Sequence, residues 1–154
     1  MHIVASSPEA MELLGSELAH VAFAGMQIHL SGELGAGKTT LVRGFLHGLG
    51  HSGKVKSPTY TLVESYSLDT FTIYHFDFYR LKHADEIETI GFRDYRSDEA
   101  ICLIEWPEMA GQRIGKPDIL IRFTITAGGR ELEIDSGTDK GNLLISKITS
   151  LWQL

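Results

Sequence analysis

Gly32-Glu33-Leu34-Gly35-Ala36-Gly37-Lys38-Thr39 fits the phosphate-binding pattern G-x-x-x-x-G-K-[ST]. In such a loop successive backbone N–H groups converge on an anion, and the glycines let the chain approach the phosphates. The loop then delivers them to a helix N-terminus with its partial positive charge. Lys38 is expected to reach the β- and γ-phosphates, and the Thr39 hydroxyl to take a position on Mg²⁺. The flanks suit this reading. The apolar stretch Met26 to Ser31 precedes the loop, and Leu41, Val42, Phe45, Leu46 and Leu49 line one face of a following helix that Gly48 and Gly50 stop.

A phosphate loop needs a carboxylate at the end of a neighbouring buried strand to hold Mg²⁺, directly or through water. Two segments end that way. Ala100-Ile101-Cys102-Leu103-Ile104-Glu105 runs five small or apolar residues into an acid, which makes Glu105 the first candidate metal or metal-water ligand. The alternative for Glu105 is a cap on the turn before Trp106-Pro107. Asp77, in His75-Phe76-Asp77-Phe78-Tyr79-Arg80, is the second: either an acid capping the next segment, or one that orients the attacking water or bridges to Mg²⁺. His75 shares its face, as a packed neutral ring or a catalytic one.

Ser57-Pro58-Thr59-Tyr60-Thr61 follows a flexible polar segment carrying Lys54 and Lys56 and offers hydroxyls and N–H groups. In nucleotide switches such a loop senses the γ-phosphate and Mg²⁺; an ordinary proline turn into a strand is the plainer reading. Trp106, beside the first carboxylate, is either a core tryptophan or a partner contact. The nearest approach to a guanine-reading motif, Gly115-Lys116-Pro117-Asp118, lacks the side chain that reads the base and precedes a strand, so ATP is the expected nucleotide.

These groups must be held by an α/β framework. Ser7 before Pro8 reads as an N-cap with proline at the first helical position, and Met11, Leu14, Leu18 and Val21 repeat at helical spacing up to Gly25. Tyr60 to Ser67 and Phe71 to Tyr79 alternate as strands, the second with Tyr74, Phe76 and Phe78 on one face and Ile73, His75, Asp77 and Tyr79 on the other. Asp85 to Phe92 reads as one short helix. Ala100 to Ile104 is a continuous apolar run, the pattern of a strand covered on both faces in a parallel sheet. Ile119, Ile121, Phe123 and Ile125, then a turn at Ala127-Gly128-Gly129, then Leu132 and Ile134, predict an antiparallel hairpin; Leu143, Leu144, Ile148, Leu151 and Trp152 mark a C-terminal helix. The expected fold is α/β, a mixed and mostly parallel sheet flanked by helices with a C-terminal antiparallel hairpin.

The 154 residues suit one domain, 1–154, with little room for a separate substrate domain. A net charge of −6 opposes polyanions, so tight direct binding of RNA or other nucleic acid is disfavoured. The cations expected nearest the site are Lys54, Lys56, Arg80, Arg93 and Arg96. Cys102, alone inside an apolar run, reads as a buried reduced thiol. No basic segment leads into a long apolar region and no stretch approaches ~18 apolar residues, so a cytoplasmic protein without membrane contact is expected.

The phosphate loop, Ser57 to Thr61, His75 to Arg80 and Ile104-Glu105-Trp106-Pro107-Glu108, in this order and spacing, closely resemble the bacterial TsaE family, strongly from Ser7 to Glu108 and weakly beyond. The resemblance implies a small P-loop NTPase domain that supplies the ATPase for threonylcarbamoyladenosine formation on tRNA. It would dock on the two related subunits of the threonylcarbamoyl-transferase complex, one of which transfers the group to the adenosine beside the anticodon. Carried over by motif, the loop from Glu33, Leu34, Gly35, Ala36 and Gly37 through Lys38, Thr39 and Thr40 binds phosphates. Thr39 and Glu105 hold Mg²⁺, and Asp77 and Lys38 support hydrolysis. Ser57, Pro58, Thr59, Tyr60 and Trp106 form the switch and partner contact. Family members often carry threonine where Met11 stands, and Arg130 is a candidate to stack on adenine. A small-molecule kinase and a nucleotide-gated binding module without turnover are the competing readings; Arg113 is the only arginine after Glu105 that could serve a kinase lid before the hairpin.

Overall fold

The computed structural model describes residues 1–152. Along the chain run β1 (His2–Ala5), α1 (Pro8–Val21), β2 (Gln27–Ser31), α2 (Lys38–Gly48), β3 (Val63–Ser67) and β4 (Thr72–Asp77). Two single-turn helices, α3 (Glu86–Thr89) and α4 (Phe92–Tyr95), lead to β5 (Ala100–Glu105). A 3₁₀ segment (Pro107–Ile114), β6 (Ile119–Thr126), β7 (Gly129–Ser136) and α5 (Asp139–Trp152) follow.

The seven strands form one sheet in the order β1-β7-β6-β2-β5-β4-β3. Its centre, β6-β2-β5-β4, is parallel, while β7 and β3 run against their neighbours; β1 opposes β7, so five of the seven strands point the same way. The loops that follow β2, β4 and β5 therefore open at one rim, the place where ligands bind in open α/β sheets.

Burial splits by strand face. Ile28, Leu30, Ile73, Ile101 and Leu103 pack with Leu41, Val42, Phe45 and Leu46 of α2 and with Leu144 and Ile148 of α5. On the opposite face Phe76, Phe78, Cys102 and Ile104 pack with Ile87, Phe92, Ala110 and Ile114. The two-sided burial accounts for the unbroken apolar run of β5, and Cys102 is buried and reduced, as expected. Helix α1 starts as predicted: Ser7 Oγ accepts from the Ala10 N–H at 3.1 Å, with Pro8 in the first turn. It crosses α2 at glycines, because a Cβ on Gly44 would lie 2.0 Å from Glu12 O and one on Gly15 2.1 Å from Leu41 O.

Four expectations fail. Tyr60 and Thr61 are not in a strand, because Leu62 turns the chain at φ 69° and β3 begins only at Val63. The helix expected over 85–92 divides at Gly91, whose φ of 71° ends one turn before the next begins. Ile125 lies exposed near the hairpin tip, and α5 packs through Leu144 and Ile148 with Leu143 and Leu151 facing out.

Candidate functional site

The phosphate loop needs its glycines for two reasons. Gly35 and Gly37 hold φ of 79° and 104°, left-handed conformations that glycine adopts without a Cβ penalty. Gly32 lies so close to β6 that a Cβ there would come within 2.9 Å of the Phe123 backbone oxygen. Gly37 is the N-cap of α2 and no side chain bonds the first turn. The first backbone N–H groups of this helix thus face the rim with no intrahelical acceptor, ready for an anion. Lys38 is buried at the start of α2; its Nζ donates back to the Gly32 and Glu33 carbonyls and sits 4.5 Å from the centre of the Trp106 ring. Burial holds its pKa below the ordinary lysine value, against the pull of Glu105, Asp77 and Glu108.

Parallel pairing of β4 with β5 sets Asp77 directly beside Glu105 at the rim. Thr39 Oγ1 donates toward both Glu105 oxygens, at 3.1 and 3.0 Å, and His75 Nε2 lies 2.6 Å from Glu105 Oε2. Asp77 Oδ1 accepts from the Tyr79 N–H at 2.9 Å and Oδ2 from Thr59 Oγ1 at 3.0 Å. Since Thr59 has spent its only proton there, the 2.7 Å contact with Ser57 requires Ser57 to donate, giving a chain Ser57 to Thr59 to Asp77. Burial raises the Asp77 pKa, and the Glu105 charge adds to it; the hydrogen bonds from Tyr79 and Thr59 and the proximity of His75 oppose the rise.

Two buried carboxylates side by side, one held by a hydroxyl at the first turn of α2, form an oxygen-rich donor set that suits a hard divalent cation such as Mg²⁺. Such an ion would offset the burial, and the added charge of Glu105, that raise the Asp77 pKa.

Two cavities adjoin at the loop. One of about 210 Å³ lies between the loop, Ser57, Thr59, the two carboxylates and Trp106. Trp106 is half-buried at φ 56°, with its ring 5.0 Å from that of Tyr79, so it forms a wall of this cavity. The second, about 180 Å³, lies beyond Gly35 and Gly37 and is walled by Pro8, Met11, Thr40 and Arg130. Arg130 is anchored there: its Nη2 donates to the Gly35 carbonyl at 3.2 Å.

The structure thus brings Lys38, Thr39, Thr40, Ser57, Thr59, Asp77, Glu105 and Trp106 together, as the sequence reading required. Pro58 is buried behind them and accepts the Leu62 N–H at 2.7 Å, whereas Tyr60 and Leu34 stand out at the surface. Arg80 lies over the Tyr60 ring at 4.1 Å. Arg96 does not belong to this neighbourhood: it lines a cavity with Gly25, Gln27 and Lys116 at the other end of the central strands, because the loop after α4 feeds the start of β5. Arg93 lies apart as well, with Phe92, Gln112 and Arg113. Two features went unread: the bond between His75 and Glu105, and the part of Pro8 in the wall of the second cavity, where Met11 stands out from the sequence only as a departure from the family's threonine. Only the alternation that puts His75 and Asp77 on one face hinted at the first.

The family model described as "Threonylcarbamoyl adenosine biosynthesis protein TsaE" matches residues 5–132. A Haemophilus influenzae protein named "tRNA threonylcarbamoyladenosine biosynthesis protein TsaE" is 46% identical over 125 residues, covering 81% of this chain and 79% of its own. One of the same name from Bacillus subtilis is 36% identical over 129 residues, covering 83% and 79%. The crystal structure of Bacillus subtilis YdiB superposes with a TM-score of 0.85 at 24% identity, covering 98% of this chain and 95% of that one, and so shows the same fold.

Proposed function

Starting from a chain that belongs to the TsaE family of tRNA threonylcarbamoyladenosine biosynthesis, we propose that it is the ATPase of that modification, hydrolysing ATP with Mg²⁺ while docked on two related partner subunits. The observation that carries this reading is the convergence of Thr39, Glu105 and Asp77 on the cavity in front of the phosphate loop.

The chain's own groups divide the work. Backbone N–H groups of the loop and first turn of α2 hold the β- and γ-phosphates. Lys38, on swinging from the Gly32 and Glu33 carbonyls, neutralises phosphate charge. Thr39 and Glu105 would hold Mg²⁺, which would supply neutralisation of the phosphate charge. Asp77 holds the attacking water through the carboxylate that Tyr79 and Thr59 orient. The adenine takes the cavity of Pro8, Met11 and Arg130.

Slow turnover by the chain alone follows from its cations. Among the described residues lining the phosphate cavity only Lys38 is cationic, and P-loop sites without an arginine at the phosphates can turn over at roughly 10⁻⁴ to 10⁻³ s⁻¹. Arg113, the one arginine a kinase lid could use, lies outside the phosphate cavity beside Glu88, Phe92 and Arg93, which speaks against phosphotransfer to a small acceptor. Tyr60 and Trp106, at the mouth of the site, are the proposed contacts for the partner subunits, and the net charge of −6 leaves tRNA itself bound weakly. Among the described residues no helix is long and apolar enough to cross a membrane, in keeping with action in the cytoplasm. Phosphate release is to be measured with the chain alone and with both partner subunits: stimulation by the partners is expected. Transfer of the γ-phosphate to a metabolite, or binding without turnover in the full complex, would overturn the assignment.

A further inference from the structure

We propose that His75 is a positioning residue: it holds Oε2 of Glu105 so that the carboxylate keeps Oε1, the oxygen His75 does not touch, for the metal position beside Thr39. The inference rests on reading the site as an Mg-nucleotide site. His75 is fully buried on β4, and its Nε2 lies 2.6 Å from Glu105 Oε2. The other ring nitrogen, Nδ1, is buried with no hydrogen-bond partner among the described residues.

This asymmetry assigns the proton. Glu105, as a carboxylate, can only accept, so Nε2 carries the hydrogen. The neutral ring then leaves at Nδ1 a lone pair and not an unpaired N–H. Oε2 accepts from both His75 and Thr39, while Oε1 has Thr39 as its only hydrogen-bond donor among the described residues. Ile73 and Leu103 on the same face are fully apolar, so packing alone would be served by a hydrophobic residue at 75. A buried polar pair is a poor source of net stability. Its use is geometric: carboxylates that bind metals are themselves held by hydrogen bonds from a second layer, and loss of such a partner costs about 10- to 100-fold in metal affinity.

The geometry also separates two polar replacements. Glutamine carries its terminal N–H₂ about as far out as histidine Nε2 and can donate to Glu105. Asparagine reaches only the position of Nδ1, where nothing pairs. The experiment measures ADP binding by calorimetry over a range of Mg²⁺ concentrations, and without metal, for the wild type, H75Q, H75N and H75F, each first melted to confirm folding. In H75N and H75F the Mg²⁺ concentration needed for half-maximal tightening is expected to rise about 10- to 100-fold. H75Q should stay near the wild type, and metal-free ADP affinity should be unchanged in all. If H75F fails to fold, the comparison of H75Q with H75N decides. Wild-type Mg²⁺ dependence in H75N, or equal loss in H75Q and H75N, overturns the inference. A wild type whose ADP binding ignores Mg²⁺ overturns instead the reading of the site on which it rests.

Discussion

Replacing Gly44 by alanine tests whether the close approach of α1 and α2 is what sets the phosphate loop in place. Gly44 lies inside α2, where alanine improves helix propensity by about 1 kcal/mol, so without an obstacle the substitution would stabilise the protein. The obstacle is all backbone: the new Cβ would lie 2.0 Å from Glu12 O and 2.6 Å from Glu12 C and Cα. The nearest of these contacts is more than about 1 Å inside ordinary separation, and backbone cannot rotate aside as a side chain can. Overpacking of this kind costs about 1–3 kcal/mol and occasionally more; with the helices locked by their own hydrogen bonds, the upper end applies. After the propensity gain the expected loss is about 2 kcal/mol, a fall of about 4–8 °C in Tm for a domain of this size. Prying the helices apart also shifts the first turn of α2 and moves Met11 relative to Gly37, so ADP affinity should fall with stability. Scanning calorimetry with and without ADP reads both. Gly128→Ala, at a position with nothing within 4 Å of the new Cβ, serves as the control and should stay within about 0.5 kcal/mol. A Gly44→Ala protein that melts at or above the wild-type temperature would refute the argument.

Asp77→Asn should abolish stimulated turnover yet raise Tm. The Asp77 pKa is raised on folding above its ordinary 3.8, so ionisation at neutral pH costs folding free energy; the cost is absent below about pH 3.8, grows as pH rises to the folded-state pKa, and is constant above it. The Tm difference between variant and wild type should therefore be largest at pH 7 and close toward pH 3; a gap that widens on acidification would contradict the sign. Glu105→Gln removes the charge and one accepting oxygen while its amide oxygen can still accept from His75 Nε2–H, so Mg²⁺-dependent hydrolysis should collapse while metal-free ADP binding, read by calorimetry, stays close to wild type. Trp106→Ala removes the ring over Lys38 and should reduce partner-stimulated phosphate release, assayed with both subunits present, more than ADP affinity of the free chain; equal losses would place Trp106 in nucleotide binding alone.

The parts of the site that lie on regular elements were legible. Glu105 ends an apolar run, Asp77 and His75 alternate on one strand face, and Lys38 and Thr39 open a helix, so period and position alone brought them to one rim. What escaped depends on tertiary approach. Met11 stood out only as a departure from the family's usual threonine in the first helix, which left a base contact there in doubt, and only the crossing of α1 over α2 places it against Gly37. The strand expected at Tyr60 failed because a side chain gives no sign that Leu62 will take a left-handed φ, a conformation supported here by the Leu62 N–H to Pro58 and the Asp77 N–H to the Leu62 carbonyl. Arg96 looked close to the site from its place before β5, but the start of a parallel strand lies at the opposite end of the sheet from its tip.

The pairing of β1 with β7 makes the two cavities at the loop depend on different spans of the chain. The Met1 amino group donates to the Ile134 carbonyl at 2.9 Å across 133 positions, and Ala5 pairs with Arg130. The residues that line the phosphate cavity all lie between Leu34 and Trp106, on or beside β2, β4 and β5, with Gly32 backed by Phe123 of β6. The second cavity needs the chain's first turn of helix and its last hairpin, so its walls meet only when β7 has paired with β1. Pairing between residues so far apart in sequence is slow to form, so the second cavity depends on a long-range closure that the residues lining the phosphate cavity do not span. On the proposed reading, selection of the base rests on contacts between segments about 120 residues apart, whereas the hold on phosphate rests on the middle of the chain.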